Sequence, residues 1–204
     1  SDLTVYSFHP VKHITTGEGG MIVTADPEMD MRMNRFRSHG ISATPKHRDE
    51  KGTWYYEMVD LGFNYRITDI QCALGVSQMN KIDGFLASRR KIAAVYEQAF
   101  ANFGGVRPLE VRKGNKHAYH LYVIRVDADR RAKIFRSLRN AGIGVNVHYI
   151  PVPAQPDFAR LGFDMADFPG AAAYYAGAIS LPLHPGLSEG DQEWVVSALR
   201  EVLV

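Results

Sequence analysis

The sequence predicts an α/β fold, because strand-like and helix-like segments alternate along its second half. A mostly apolar run at 119–126 precedes a helical pattern at 129–141, and strand-like residues follow at 145–149 and 179–183. Such alternation is typical of a layered α/β domain. The first half has two strand patterns and one helix pattern before residue 38, which are too few to bury a sheet. It is therefore predicted to be the end of a larger domain.

The composition is that of an ordinary globular protein of 204 residues, with 46% hydrophobic residues and a formal net charge of +2. Basic and acidic side chains are interleaved, so nothing indicates a nucleic-acid or membrane partner. Cys72 is the only cysteine, which excludes an intrachain disulfide and agrees with a predicted cytoplasmic location. No signal peptide is visible. The sequence has no starting Met and opens almost directly into a strand pattern, which predicts that an upstream part has been removed.

Local signals place the elements of the first half. Residues 3–8 alternate apolar and polar side chains and predict a strand. A Gly-rich turn at 15–20 follows, and the apolar run 21–23 predicts a short buried strand. Asp26 is a suitable N-cap with Pro27 at the first helical position, which predicts that a helix begins here.

A loop is predicted at 38–62, where Gly, Pro, Lys and Asp are frequent. Within it, Trp54-Tyr55-Tyr56 is unusually aromatic. Two interpretations stay open: these rings line a ligand or subunit contact, or they fill a local core.

A long helical pattern follows this loop. Thr68 and Gln71 have the spacing of a capping box, which predicts a helix start. The pattern extends to Phe100, and Gly84 is predicted to divide it into two helices. Cys72 lies on an apolar face of the pattern and is predicted to be packed in the core.

Similar local sequence signals predict where the helices of the second half begin and end. Gly142 is predicted to stop the helix at 129–141, and residues 151–170, which contain several prolines, are predicted to form a loop with short turns. Ser188 and Asp191 form a second capping box that opens the last helix. The buried side of the helix at 129–141 is predicted to comprise Ile134, Phe135 and Leu138.

Lys12 is a candidate nucleophile between the first strand and the Gly-rich turn. A catalytic lysine needs a fixed backbone and partial shielding, so that its amine can be neutral and attack a carbonyl. Lysines are mostly exposed, however, so the residue type alone favours a solvated side chain. The glycines of the turn match neither standard phosphate-binding fingerprint, and a hairpin explains them better.

Histidines occur at spacings that can bind metals when a helix carries them. Here the pairs lie at a strand end and a strand start, so no metal site is predicted. His148 ends a strand pattern beside Tyr149, where a binding role and a structural role both stay open. The two pairs are His9 with His13, and His117 with His120.

The run Ser7-Phe8-His9-Pro10-Val11-Lys12-His13-Ile14-Thr15-Thr16-Gly17-Glu18-Gly19-Gly20 closely resembles, without gaps, the cofactor-lysine motif of the DegT/DnrJ/EryC1/StrS family of sugar aminotransferases. Further stretches resemble later family blocks in the same order, so the resemblance covers the whole chain. These stretches are 36–40, 62–66, 69–75, 147–151 and 181–185.

The resemblance implies the fold of a PLP-dependent transferase of fold type I, the aspartate aminotransferase-like class. Residues 1–66 would then be the C-terminal part of the large, cofactor-binding domain. Residues 67–117 would form a long connecting helix region, and residues 118–204 the small C-terminal α/β domain.

The resemblance also implies roles for single residues. Lys12 matches the lysine that holds pyridoxal 5′-phosphate as an internal aldimine, and Ser7 matches a residue that hydrogen-bonds the cofactor phosphate. Asn64 matches a residue that reaches the phosphate of the neighbouring subunit, which implies a homodimer with a shared active site. His148 and Tyr149 match a substrate-side segment.

Within the family, the sequence at 9–13 and 54–57 most resembles that of the transaminases of pseudaminic acid biosynthesis. This branch aminates the C4 ketone of a UDP-linked 4-keto-6-deoxy-N-acetylhexosamine with L-glutamate as donor. One position departs from the family pattern: Pro153 stands where a second histidine is frequent, and proline offers neither a donor nor a charge.

In the family, the aromatic residue that stacks on the cofactor and the acid that pairs with its ring nitrogen lie upstream of the lysine motif. This chain is therefore predicted to bind the cofactor weakly or not at all by itself. An inactive module that only oligomerises or binds a sugar nucleotide is the alternative. A related sugar dehydrase is disfavoured, because histidine replaces the lysine in that branch.

Overall fold

The computed structural model describes residues 1–42, 49–50, 52 and 54–203. They form two compact units, Ser1–Ile82 and Asp83–Val204. The predicted assignment of three segments to domains of a larger protein stays a prediction. The strands are β1 (Thr4–Ser7), β2 (Gly20–Val23), β3 (Arg107–Pro108), β4 (Tyr122–Arg125) and β5 (Ala178–Leu181). The helices are α1 (Pro27–Arg37), α2 (Asp69–Met79), α3 (Ile82–Phe100), α4 (Ala128–Asn140), α5 (Pro156–Arg160), α6 (Pro169–Gly177) and α7 (Glu189–Leu203).

The first unit opens with an antiparallel hairpin in which β1 pairs with β2, from Thr4 opposite Val23 to Ser7 opposite Gly20. The predicted strand, turn and hairpin are confirmed. A side chain at Gly20 would place its Cβ 2.8 Å from the carbonyl oxygen of Tyr6, so the close strand approach requires glycine. The predicted burial of the second strand is wrong, because every residue of β2 is exposed.

Helix α1 begins as predicted. The Asp26 carboxylate accepts hydrogen bonds from the backbone N–H groups of Glu28, at 2.8 Å, and Met29, at 3.3 Å, and Pro27 occupies the first turn. The helix buries none of its residues. At its C-terminal end the Phe36 ring meets the Phe63 ring edge-on, with 5.0 Å between centroids, which joins the helix to the segment before α2.

Helix α2 starts at the predicted capping box, where the Gln71 N–H donates to Thr68 Oγ1 at 3.3 Å. The division of the helical pattern is confirmed but lies at Asn80 and Lys81, and Gly84 sits inside the first turn of α3. A single glycine is tolerated within a helix. Cys72 is exposed, so its predicted place in the core is wrong.

The second unit has a three-stranded antiparallel sheet in the order β3–β4–β5, with Tyr122 opposite Leu181 and Arg125 opposite Ala178. Helices α3, α4 and α7 contribute buried apolar side chains to the core on this sheet. The predicted helices at 129–141 and after Ser188 are confirmed. None of the helices in the described part of the chain combines the length and apolar character needed to cross a bilayer. The largest fully buried side chains are Tyr96, Phe100, Ile124, Ile134, Leu138, Ile179 and Leu199.

The predicted strand at 145–149 is wrong. Only Asn146 pairs with a strand: it exchanges two backbone hydrogen bonds with Ser180 of β5, at 3.2 and 2.7 Å. The Asn146 side-chain oxygen then accepts the N–H of Val147 at 2.8 Å. A local side-chain bond of this kind competes with a sheet ladder for the backbone donor, which explains why the pairing stops.

Candidate active site

Lys12 lies in the connection between β1 and β2, and this connection is held by its own hydrogen bonds. The Lys12 N–H donates to the carbonyl of His9 at 2.9 Å. The carbonyl of Phe8 accepts from the Thr16 N–H at 3.0 Å and from the Thr15 hydroxyl at 2.9 Å. Lys12 itself is half-buried. Its backbone is thus fixed and its side chain partly shielded, as a nucleophilic amine requires.

Helix α2 also contributes to this connection. The Gln71 side-chain amide donates to the carbonyl of Glu18 at 3.0 Å, and the buried Thr16 donates its hydroxyl to the same carbonyl at 2.7 Å. The Glu18 carbonyl therefore accepts two hydrogen bonds, which hold this turn in place. Gln71 was predicted only as a capping residue, because a contact 53 positions away in the chain leaves no local signal.

Ser7 is the last residue of β1 and shares the hairpin with Lys12. Its hydroxyl oxygen accepts the N–H of His9 at 3.4 Å and is exposed to solvent. A hydroxyl that accepts keeps its own hydrogen as a donor. Ser7 can therefore donate to an anionic oxygen placed at this strand end.

Asn64 lies in another segment of the same unit. It forms an isolated antiparallel bridge with Ser38, flanked by a hydrogen bond from the Tyr65 N–H to the Arg37 carbonyl at 3.0 Å. The Asn64 residue is exposed. Its predicted contact with a neighbouring subunit stays a prediction.

The two substrate-side residues lie in the second unit. The His148 ring is half-buried, and its Nδ1 lies 2.8 Å from the hydroxyl oxygen of Ser180. The Tyr174 hydroxyl donates to the carbonyl of His148 at 3.1 Å. Partial burial lowers the pKa of His148. Tyr149 is 68% exposed and packs edge-on against the His148 ring, with 4.6 Å between centroids.

Ser180 and Tyr174 were not among the predicted site residues. Ser180 is a buried polar residue inside the apolar strand β5, and this break in the apolar run is the one sequence signal that could have drawn attention to it. Its partner His148 lies 32 residues away. Local patterns do not report contacts at that separation.

The aromatic run in the predicted loop is largely solvated: Trp54 is 78% exposed and Tyr56 is also exposed. This excludes a filled local core as the role of Trp54 and leaves the predicted ligand or subunit contact untested. Among the described residues, no group of three or more His, Cys, Asp or Glu side chains is arranged to hold a metal ion.

The groups on the hairpin fit a phosphorylated aldehyde cofactor. A shielded lysine amine can condense with an aldehyde, and a hydroxyl donor at the neighbouring strand end can bind a phosphate oxygen. Both residues belong to one hydrogen-bonded hairpin, which fixes their backbones relative to each other.

The family model of the DegT/DnrJ/EryC1/StrS aminotransferase family matches residues 1–200. The UDP-4-amino-4,6-dideoxy-N-acetyl-beta-L-altrosamine transaminase of Campylobacter jejuni is 34% identical over 100% of this chain and 53% of its own length. The chain spans about half the length of the curated relatives it matches.

Solved structures agree with the sequence relatives. A Streptococcus pneumoniae protein described as a sugar aminotransferase superposes in its PLP form with a TM-score of 0.88 and 32% identity, over 99% of this chain and 52% of its own. Helicobacter pylori PseC, an aminotransferase involved in the biosynthesis of pseudoaminic acid, gives a TM-score of 0.90 and 32% identity, over 99% and 53%. The predicted fold class is confirmed.

Proposed function

The chain belongs to the DegT/DnrJ/EryC1/StrS aminotransferase family, and from this membership we propose that the protein transfers an amino group from L-glutamate to a nucleotide sugar. The acceptor is the C4 ketone of a UDP-linked 4-keto-6-deoxy-N-acetylhexosamine. The observation that carries the proposal is the half-buried Lys12 on its hydrogen-bonded connection, within a chain that aligns along its whole length with a UDP-sugar transaminase.

Lys12 would hold pyridoxal 5′-phosphate through its amine, and Ser7 would hold the phosphate. When bound, the cofactor supplies an electron sink for carbanion chemistry. The Lys12 amine can then accept a proton from a carbon acid within reach and return it to a neighbouring atom. The fixed backbone around Lys12 limits the distance over which the amine moves between the two atoms that exchange the proton.

Three further residues have proposed roles. Asn64, which is exposed on the first unit, would bind the cofactor phosphate of a second subunit, so the active enzyme would be a homodimer. His148 and Tyr149 would face the sugar substrate. The exposed ring of Tyr149 offers both an apolar surface and a hydroxyl to such a ligand.

The test is a coupled amino-transfer assay of the longest native form of the protein, with cofactor, L-glutamate and a UDP-linked 4-keto sugar. Lys12→Ala is expected to abolish turnover and the borohydride-trapped cofactor mass on the protein. Lys81→Ala, which removes an exposed lysine between α2 and α3, is the matched control and is expected to leave both unchanged. Normal turnover by Lys12→Ala would overturn the proposal.

The alternative, a module without catalysis, makes a different prediction in the same assay. The native protein would then show no turnover and no trapped cofactor, whatever stands at position 12. The exposed apolar side chains of β1, β2 and α2 favour an oligomerising role for such a module.

A further inference from the structure

His148 is the centre of a polar network formed by Asn146, Ser180 and Tyr174. Its two ring nitrogens have different neighbours: Nδ1 faces the Ser180 hydroxyl at 2.8 Å, and Nε2 faces the Asn146 side-chain nitrogen Nδ2 at 3.4 Å. Because a neutral imidazole has one donor and one acceptor nitrogen, these neighbours decide which nitrogen carries the hydrogen.

The orientation of the Asn146 amide can be assigned from the backbone. The Val147 N–H lies 2.8 Å from Asn146 Oδ1, so this atom must be the acceptor oxygen. A flipped amide would set two donors against each other at that distance. The atom facing His148 Nε2 is therefore an amide N–H group.

This assignment fixes the tautomer of His148. An N–H group of Asn146 points at Nε2, so a hydrogen on Nε2 would be repelled and a lone pair is favoured there. The hydrogen then resides on Nδ1 and is donated to the Ser180 hydroxyl oxygen at 2.8 Å. At 3.4 Å the amide contact is long for a hydrogen bond, so a stronger donor from a ligand can replace it on the single lone pair of Nε2.

We propose that His148 is a neutral, Nδ1-protonated imidazole whose Nε2 accepts a hydrogen bond from the sugar part of the substrate, a hydroxyl or an amide N–H, and does not bind phosphate. This inference rests on the proposed function for its ligand, and on the structure alone for its tautomer. Ser180 and Asn146 are then positioning residues, which act through His148.

Burial supports the neutral form. The ring is half-buried, and the pKa of His148 is lowered from its ordinary value by loss of solvation. The ring contacts the Ser180 hydroxyl, the Asn146 amide and the Tyr149 ring, and the Tyr174 hydroxyl bonds the backbone carbonyl of His148. A phosphate ligand needs a donor or a positive charge, and an unprotonated Nε2 offers neither.

Imidazole-nitrogen NMR of the chain at neutral pH tests the tautomer. The His148 signals are assigned by their loss in His148→Gln. The expected result is a protonated Nδ1 and an unprotonated Nε2. A protonated Nε2 in the unaltered chain would overturn the proposal.

Asn146→Asp sharpens the test, because it replaces the donor facing Nε2 by an acceptor of the same size. The hydrogen is expected to move to Nε2, or both nitrogens to become protonated. Asn102→Asp, in the exposed turn after α3, makes the same charge change and is expected to leave the His148 signals unchanged. An unaltered Nδ1-protonated signal in Asn146→Asp would overturn the role assigned to Asn146.

A ligand titration tests the partner. UDP-N-acetylglucosamine is expected to shift the His148 Nε2 signal, whereas UDP and inorganic phosphate are expected to leave it in place. A shift with UDP or phosphate, or no shift with the sugar nucleotide, would overturn the ligand assignment. These measurements need neither cofactor nor glutamate, so their failure is distinguishable from a failure of the proposed amino transfer.

Discussion

The two units of the chain use similar strands in opposite ways. In the second unit each residue of β5 is buried, and the isoleucine at its centre, Ile179, has no exposed surface. In the first unit the isoleucine of β2, Ile22, is 49% exposed, and Val5 of β1 is 72% exposed. Both isoleucines sit in short antiparallel pairs. The difference teaches that an apolar strand is buried by the helices that cover it, and not by its own sequence.

The largest expected effect contrasts these two isoleucines. Ile179→Ala is expected to cost about 2–5 kcal/mol of unfolding free energy, because it opens a cavity in a closed core. Ile22→Ala is expected to cost less than about 1 kcal/mol, since half of its side chain already meets water. Urea unfolding of both variants measures the two values. An equal cost at both positions would show that β2 is covered in solution, for example by a second copy of the chain.

A smaller contrast concerns two arginines. Arg89 in α3 is 4% exposed, and its Nη1 donates to three carbonyl oxygens at 3.0–3.2 Å. Arg89→Met removes the donor that these acceptors share and is expected to cost about 2–3 kcal/mol. Arg32→Met, on the exposed surface of α1, is expected to stay within about 0.5 kcal/mol.

Thermal and urea unfolding measure this pair of variants. A cost for Arg89→Met no greater than that for Arg32→Met would contradict the anchoring role of the guanidinium. The three acceptors lie in two separate segments, at Tyr119 and His120 before β4 and at Leu183 after β5. Replacing Arg89 should therefore loosen both segments together.

The smallest expected effect is on pH dependence. Burial lowers the pKa of His148, so as the pH falls the unfolded chain takes up this proton before the folded one does. Its contribution to stability is present above the ordinary histidine pKa of about 6.5 and is lost as the pH falls below it. As the pH is lowered from about 8 to about 5, the unfolding free energy of His148→Gln should fall less steeply than that of the unaltered chain. His9→Gln in the first unit is the control, and an unchanged slope in His148→Gln would contradict this expectation.

The elements with a local chemical signal could be predicted from the sequence. The Asp26 cap, the Thr68–Gln71 capping box and the stop at Gly142 each depend on residues within one helical turn. What could not be predicted depends on distant packing. Cys72 and β2 have apolar neighbours in sequence, yet both are exposed, because burial is decided by elements elsewhere in the chain.

The candidate site divides in the same way. Lys12 and Ser7 were found through the resemblance of one continuous motif, and the structure supplies their fixed connection. The network around His148 joins positions up to 32 residues apart and includes a serine inside an apolar strand. No spacing rule predicts such long-range contacts, so only the folded structure identifies Ser180 and Tyr174 as its partners.

The hydrogen bonds from Arg89 to three carbonyl oxygens also differ from an ordinary ion pair in their response to ionic strength. Mobile ions screen opposite charges at the surface, such as Lys91 and Glu189 at 2.7 Å, so added salt weakens that attraction. The Arg89 guanidinium is instead held by carbonyl dipoles in a site that water barely reaches. Dissolved salt therefore has little access to it, and the segments before β4 and after β5 should stay joined in concentrated electrolyte.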